Sequence, residues 1–190
     1  PDVKGSCGCG SVTYELLRRP MFVHACHCKN CQNQTGGPFA LNAILETESL
    51  KLISGDLQPF KMATGSGLGQ TVFRCSNCYV ATWGHYAAAG NGFVYIRVGT
   101  LDDPSVCQAD VHLFTKSKLS WLTLPNDTPA FEEMYDRENF RFEHLRDGFF
   151  YIDEAGADAQ CDGPRRGAHR AAGAGATKKQ AEVMQTGRMP

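Results

Sequence analysis

The chain has 190 residues, a formal net charge of −1 and 42% hydrophobic residues, which suits a globular domain with an ordinary buried core. No apolar run approaches the roughly 18 residues that cross a bilayer. No segment has the charged start and apolar stretch of a secretory signal, so we expect a soluble, cytoplasmic protein.

Seven short segments have the composition of β-strands, because they are rich in β-branched and aromatic residues and are bounded by Gly, Pro or Asn. In chain order they are residues 11–16, 21–25, 39–45, 50–54, 70–75, 93–99 and 110–114. Turn-forming pieces such as "TGGP" and "GSGLG" separate them. Helical periodicity is weak and confined to residues 129–140. The sequence therefore predicts a mainly β fold with little helix.

The C-terminal part has a different composition. Residues 164–190 hold six Lys or Arg and one Glu, lack aromatic residues and are rich in Gly and Ala. Such a segment buries too little apolar surface to offset the entropy of ordering. We expect a folded domain over residues 1–145 and an extension over residues 146–190 that is largely disordered from about residue 160. Without aromatic residues or a binding motif, the basic charge does not indicate a nucleic-acid partner.

Seven of the nine cysteines fall in three tight clusters: Cys7 and Cys9; Cys26, Cys28 and Cys31; and Cys75 and Cys78. Disulfide frameworks are typical of short secreted chains, and neighbours in Cys-x-Cys are poorly placed to bond each other. Thiolates at this spacing converge on one metal ion, and zinc is the first candidate. An iron–sulfur cluster and a redox-active Cys75–Cys78 pair are the alternatives.

Seven thiolates divide as four plus three. Four would make a closed structural zinc site, which Cys75 and Cys78 would form together with Cys7 and Cys9. Three, from Cys26, Cys28 and Cys31, would leave a corner open for water or substrate, as in a catalytic zinc site. If residues 22–28 are extended, His24 shares a face with Cys26 and Cys28, while His27 points away. His24 is thus a rival fourth ligand.

Several spaced motifs resemble one family: "GSCGCGSVTYEL", "CHCKNCQNQTGGPF", "FRCSNCYVATWG", "VGTLDD" and "HLFTKSKLSW". Together they are similar to the glutathione-dependent formaldehyde-activating enzyme (Gfa-like) family, which has the Mss4-like fold. The resemblance covers about residues 5–125. It implies a β-tent of two antiparallel sheets with two zinc ions per chain. It also implies the same division of ligands, with Cys7, Cys9, Cys75 and Cys78 structural and Cys26, Cys28 and Cys31 catalytic.

The resemblance further implies a carbon–sulfur lyase that condenses glutathione with formaldehyde. The first hypothesis is therefore an enzyme in which zinc activates a thiol, or polarises a carbonyl or hydroxyl group. His24 would support the metal ligands or carry a proton, because an imidazole titrates near neutrality. His85 and His112 are weaker candidates. A zinc-dependent lyase, dehydratase or isomerase acting on a different small metabolite is the second hypothesis. A zinc-stabilised binding module without catalysis is the third.

Two residues depart from the family pattern. Tyr79 stands where the family commonly has Gly, and Gln32 stands where it commonly has Arg. A basic residue at position 32 would help to bind an anionic substrate, so its loss weakens the expectation of glutathione in particular. Attraction of an anion would then have to come from a local patch such as Lys29, Lys116 or Lys118, the last two predicted to share one side of a strand.

Overall fold

The computed structural model describes residues 3–64, 67–136, 151–152 and 158–159, the last two pairs by their backbone alone. The strands and the α-helix, in chain order, are β1 (Val3–Ser6), β2 (Thr13–Leu16), β3 (Phe22–Cys26), α1 (Lys29–Thr35), β4 (Ala40–Glu46), β5 (Leu50–Ser54), β6 (Leu57–Met62), β7 (Gln70–Cys75), β8 (Ala81–Tyr86), β9 (Phe93–Arg97), β10 (Val111–Leu113), β11 (Tyr151–Ile152) and β12 (Asp158–Ala159).

The strands form a small sheet in the order β1-β2-β5 and a large sheet in the order β10-β3-β4-β9-β8-β7-β6. Apart from the separate pair β11–β12, these two sheets account for the described strands, so the predicted two-sheet, mainly β fold is confirmed. Pairing is antiparallel throughout except where β10 lies parallel to β3. A parallel pair needs a long connection, and the 84 residues between these strands provide it.

The core lies between the two sheets. Tyr14 and Leu16 from the small sheet pack in one cluster with Phe73, Trp83 and Ile96 from the large sheet. The rings of Tyr14 and Trp83 meet edge to face, with centroids 5.3 Å apart, the arrangement that aromatic quadrupoles favour. Burial of these large apolar side chains holds the sheets together.

The face of the large sheet that is turned away from the core carries the three-cysteine cluster of the sequence analysis. In β4, Ala43 and Leu45 belong to the core cluster, so Ala40, Asn42 and Ile44 point to the opposite side. Cross-strand partners share a face, and Cys26 pairs with Ala40. The Cys26 side of this sheet, covered in part by α1, is called the outer face below.

Some predicted elements differ from the structure. The strands β1, β6 and β8 were not predicted: β6 contains Pro59, which an edge strand tolerates, and the sheet order places β6 at an edge. Helix α1 was not predicted either, because its sequence "KNCQNQT" is polar throughout. Residues 116–118, expected in a strand, instead belong to a single 3₁₀ turn over Thr115–Ser117 and its end at Lys118.

The weak helical pattern over residues 129–140 is wrong for residues 129–136. This stretch is irregular, and the Phe131 amide donates a hydrogen bond to the His112 carbonyl at 2.9 Å. Phe131 and Tyr135 from this stretch pack against Val111 and Leu113. The rest of that segment lies outside the described residues.

The extension predicted over residues 146–190 also lies outside the described residues, except for the backbone of β11 and β12, which pair antiparallel. In the part of the chain that the structure describes, no helix is long and apolar enough to cross a membrane.

Candidate metal centres

The first candidate metal centre is formed by four cysteines from two turns. Cys7 and Cys9 lie between β1 and β2, while Cys75 ends β7 and Cys78 lies in the turn to β8. All four sulfur atoms lie within 4.8 Å of one another. The Sγ–Sγ separations are 3.5 Å for Cys7 to Cys9 and 3.8 Å for Cys9 to Cys75. Four thiolates bonded at 2.3 Å around a tetrahedral zinc would be about 3.8 Å apart, so this donor set fits zinc.

Backbone amides support the sulfur atoms of both turns. The Val12 amide lies 3.3 Å from Cys7 Sγ. In the other turn, Asn77 and Cys78 direct their amides to Cys75 Sγ at 3.3 Å and 3.5 Å. Such donors favour the ionised form of a thiol, which is the form that binds metal. The local backbone therefore prepares both turns for a cation.

Side chains complete the support around Cys9. The Ser11 hydroxyl lies 3.0 Å from its sulfur, and Asn77 Nδ2 donates to it at 3.3 Å. Hydrogen bonds from Ser11, followed by the one from Asn77, lower the pKa of Cys9 to about 5. The thiolate that binds a metal is thus favoured at neutral pH.

The second candidate metal centre is formed by Cys26, Cys28 and Cys31. Cys26 ends β3, Cys28 caps the N-terminus of α1, and Cys31 lies in the first turn of that helix. Their sulfur atoms lie within 4.8 Å of one another. Cys28 Sγ also accepts a hydrogen bond from the Cys31 amide at 3.4 Å. Because a candidate metal ligand is also the helix cap, the position of Cys28 is fixed by the short polar helix.

The protonation of these three thiols indicates a need for a cation. Hydrogen bonding with Cys26 lowers the pKa of Cys28 to about 2, whereas the same contact raises the pKa of Cys26 to about 11. Contacts with both neighbours raise the pKa of Cys31 as well. Three thiols packed this closely cannot all ionise unless a positive charge balances them. A divalent metal supplies that charge, so the chemistry of the donors fits zinc here too.

Two residues that the sequence analysis did not single out lie on the outer face near this centre. Tyr86 is the last residue of β8, and Arg97 is the last residue of β9. Arg97 lies directly opposite Asn42 of β4. Burial raises the pKa of Tyr86. The negative charges of Cys31 and Cys26 raise this pKa further, and the positive charge of Arg97 lowers it. These groups therefore share one electrostatic environment. Neither residue belongs to a metal-ligand motif in the sequence. Their place on the outer face follows only from the register of the sheet.

The three histidines considered from sequence have different surroundings. His24 is buried on the outer face, with Nε2 3.2 Å from the hydroxyl of Tyr135. His112 contacts buried His27, its Nδ1 lying 2.9 Å from His27 Nε2. His85 is bonded to a backbone carbonyl of β9, and burial lowers its pKa. In the described ranges, both groups of potential metal ligands consist of cysteines alone.

Comparison with known proteins identifies the family. The sequence profile described as "Glutathione-dependent formaldehyde-activating enzyme" matches residues 2–117. The chain belongs to this family. No curated protein matches the chain. Among solved structures, a Rhodobacter sphaeroides protein is similar, with 21% sequence identity, a TM-score of 0.41, and coverage of 56% of this chain and 96% of that chain.

The position where the family commonly has Gly is occupied by Tyr79 with φ of 60°. That value lies in the left-handed region, which glycine adopts at little cost. Glycine at this position would meet the backbone requirement of the Cys75–Cys78 turn at lower cost. This chain keeps the conformation with an exposed tyrosine instead.

The position where the family commonly has Arg is occupied by buried Gln32. Its Nε2 donates to the carbonyls of His27 and Ser117, both at 2.8 Å. These bonds tie α1 to the strand before it and to the turn after β10. In this member of the formaldehyde-activating family, residue 32 therefore has a structural role.

Proposed function

We propose that the chain is a zinc-dependent carbon–sulfur lyase that adds a thiol such as glutathione to formaldehyde or a related small carbonyl compound. The observation that carries this proposal is the three-cysteine centre, whose donor set leaves one position of a tetrahedral zinc for a substrate. Cys28 is partly exposed, so the centre is accessible from solvent. The four-cysteine centre would be closed and structural. Membership of the family supports the same activity.

The reaction joins a thiol and a carbonyl group. The thiol S–H bond breaks, a C–S bond forms, and the carbonyl oxygen gains the proton, which gives an S-hydroxymethyl product from formaldehyde. A zinc ion held by Cys26, Cys28 and Cys31 would lower the pKa of the incoming thiol so that it reacts as the thiolate. The protein then has to stabilise the oxygen on which negative charge develops.

Tyr86 is suited to that task. A phenol carries its proton at neutral pH, and burial raises the pKa of Tyr86 further, so its hydroxyl can donate a hydrogen bond to the developing oxyanion. His24, the proton carrier predicted from sequence, lies two residues before Cys26 on the same face. We retain it as the second proton-transfer candidate, with Tyr135 holding its ring in place.

The test is to measure the exchange of ¹³C-formaldehyde with its glutathione adduct by NMR, with zinc-loaded protein and without it. We expect exchange faster than the uncatalysed background, and loss of that acceleration in Cys28→Ser. Cys107→Ala is the matched control because this buried cysteine belongs to neither metal centre. If protein that holds two zinc ions gives only the uncatalysed rate of exchange, the proposal is overturned. Turnover of another small metabolite would then favour a different lyase, dehydratase or isomerase.

A further inference from the structure

The position of Arg97 follows from the register of three neighbouring strands. Arg97 lies opposite Asn42 of β4, and Asn42 lies opposite His24 of β3. Cys26 follows His24 by two residues and therefore has the same orientation. The side chain of Arg97 is thus on the outer face, on the side of the sheet that holds the three-cysteine centre.

A hydrogen bond places the guanidinium group beside helix α1. Arg97 Nη2 donates to Oε1 of Gln34 at 3.0 Å. Gln34 follows Cys31 by three residues in the helix, and such side chains are neighbours, about 5–6 Å apart at Cβ. The positive charge therefore contacts a side chain that lies one helical turn from Cys31, a ligand of the proposed zinc.

The hydrogen-bonding capacity of Arg97 is only partly used. A guanidinium has five N–H donors, and the second contact is from Nη1 to Oδ1 of Asn42 at 2.7 Å. Both acceptors are neutral. Among the described residues, the ion pairs are Lys51–Glu15 and Lys116–Glu133, so no carboxylate is paired with Arg97. A half-buried guanidinium held in place by neutral groups is prepared for an anion that the protein itself does not provide.

Amide groups without partners lie on the same face. Because Arg97 only donates, the oxygen of Gln34 must face it, and the buried Nε2 of Gln34 has no acceptor among the described residues. Gln70 is 5% exposed, pairs across the sheet with Tyr86, and has no partner for either amide atom in the same part of the chain. Buried polar groups are normally satisfied, so these amides are free to bind a polar ligand or water on this face.

The basic residues considered from sequence are less suitable. Lys116 forms an ion pair with Glu133, and Lys118 donates to the carbonyls of Leu119 and Leu122. Lys29 is on α1 but is exposed, where an isolated charge binds an anion weakly.

We propose that Arg97 binds a carboxylate of the substrate beside the three-cysteine centre and thereby selects thiols that carry a carboxylate. This inference rests on the proposed function and defines its substrate class. Glutathione, which has two carboxylates, belongs to that class. The competing explanation is that Arg97 only balances the negative charge of the cysteine cluster, and it predicts no discrimination between charged and neutral thiols.

The test compares glutathione with glutathione diethyl ester, which keeps the thiol and lacks both free carboxylates. Each is titrated into the cobalt-substituted chain, and the absorption bands of tetrahedral Co²⁺ report thiol binding at the open centre without any turnover. In the wild type we expect glutathione to bind about 10- to 100-fold more tightly than the ester, as one charge-assisted contact would give. In Arg97→Gln this preference should disappear while ester binding persists. Lys29→Gln, the matched control, removes one positive charge from α1 and should keep the preference.

Equal binding of the two thiols by the wild type, or a preference that survives in Arg97→Gln, would overturn the inference and leave the proposed function intact. Binding of neither thiol to cobalt-loaded protein would overturn both. Should Arg97→Gln lose its fold, seen as loss of cobalt and of circular dichroism, Arg97→Lys provides the test. Lysine keeps the charge but cannot form the two-pronged contact, so the preference should fall by several-fold, and an unchanged preference would again overturn the inference.

Discussion

The backbone amide of Tyr79 donates a hydrogen bond to the carbonyl of Cys75 at 3.0 Å and closes the turn that supplies two candidate metal ligands. Tyr79 reaches this bond with φ of 60°. The left-handed conformation costs a residue with a Cβ roughly 1–2 kcal/mol. The geometry of the four-cysteine centre is therefore maintained against a local backbone preference.

Tyr79→Gly should stabilise the folded, zinc-bound protein by about 0.5–1 kcal/mol. The substitution removes the left-handed strain, although it also increases the entropy of the unfolded chain, which offsets part of the gain. Denaturant unfolding at a fixed zinc concentration measures the change. Phe114→Gly is the contrasting variant. Phe114 also has a left-handed φ of 56°, but its ring packs against two buried clusters, one containing Tyr135 and the other containing Cys31. It should destabilise by about 2 kcal/mol or more, and a loss of stability in both variants would contradict this account.

Purified protein should contain two zinc ions per chain. The prediction follows from the two separate groups of sulfur atoms, each compact enough to hold one ion. Elemental analysis after exhaustive dialysis checks it. A folded protein with one zinc or none would contradict the division into two centres.

The two centres should respond differently to loss of a ligand. Cys78→Ser should greatly reduce stability, because the four-cysteine centre links the turn after β1 to the turn after β7 and its binding energy contributes to folding. Cys28→Ser should leave a folded protein that has lost one zinc ion and its activity. Thermal unfolding and zinc content of both variants check this. Equal losses of stability would indicate that both centres are structural.

Tyr86→Phe should lower kcat about 10- to 100-fold while zinc content and glutathione affinity change little, because removal of a single oxyanion donor typically costs this much or more. The ring still packs against Tyr95, whose centroid is 4.6 Å away, so the fold should be retained. Steady-state kinetics together with zinc analysis checks the prediction. An unchanged kcat would mean that Tyr86 does not stabilise the oxyanion. His24 would then be the remaining proton-transfer candidate, and His24→Gln is the variant that tests it.

The sequence by itself determined the composition of the candidate centres. Cys-x-Cys and Cys-x-x-Cys spacings act over one turn, so local geometry favours a shared cation within each cluster. Dividing seven ligands as four plus three then joined the Cys7 and Cys75 clusters, and the structure brings the predicted cysteines together in the predicted groups. The mainly β character was equally readable, because β-branched and aromatic residues between turn-forming residues mark strands locally. The cap that Cys28 provides was not readable, since a polar seven-residue helix has no periodic signal.

Only the tertiary structure decided which residues surround the open centre. Arg97 and Tyr86 lie 66 and 55 residues beyond Cys31 in the chain, and neither belongs to a motif with ligand spacing. They reach the outer face because antiparallel register fixes which side chains of β4, β8 and β9 point the same way. The structure likewise showed that the Gln32 side-chain amide donates to two backbone carbonyls and that Lys116 forms an ion pair with Glu133. Register and pairing depend on contacts between distant segments, which residue spacing along one strand or turn does not encode.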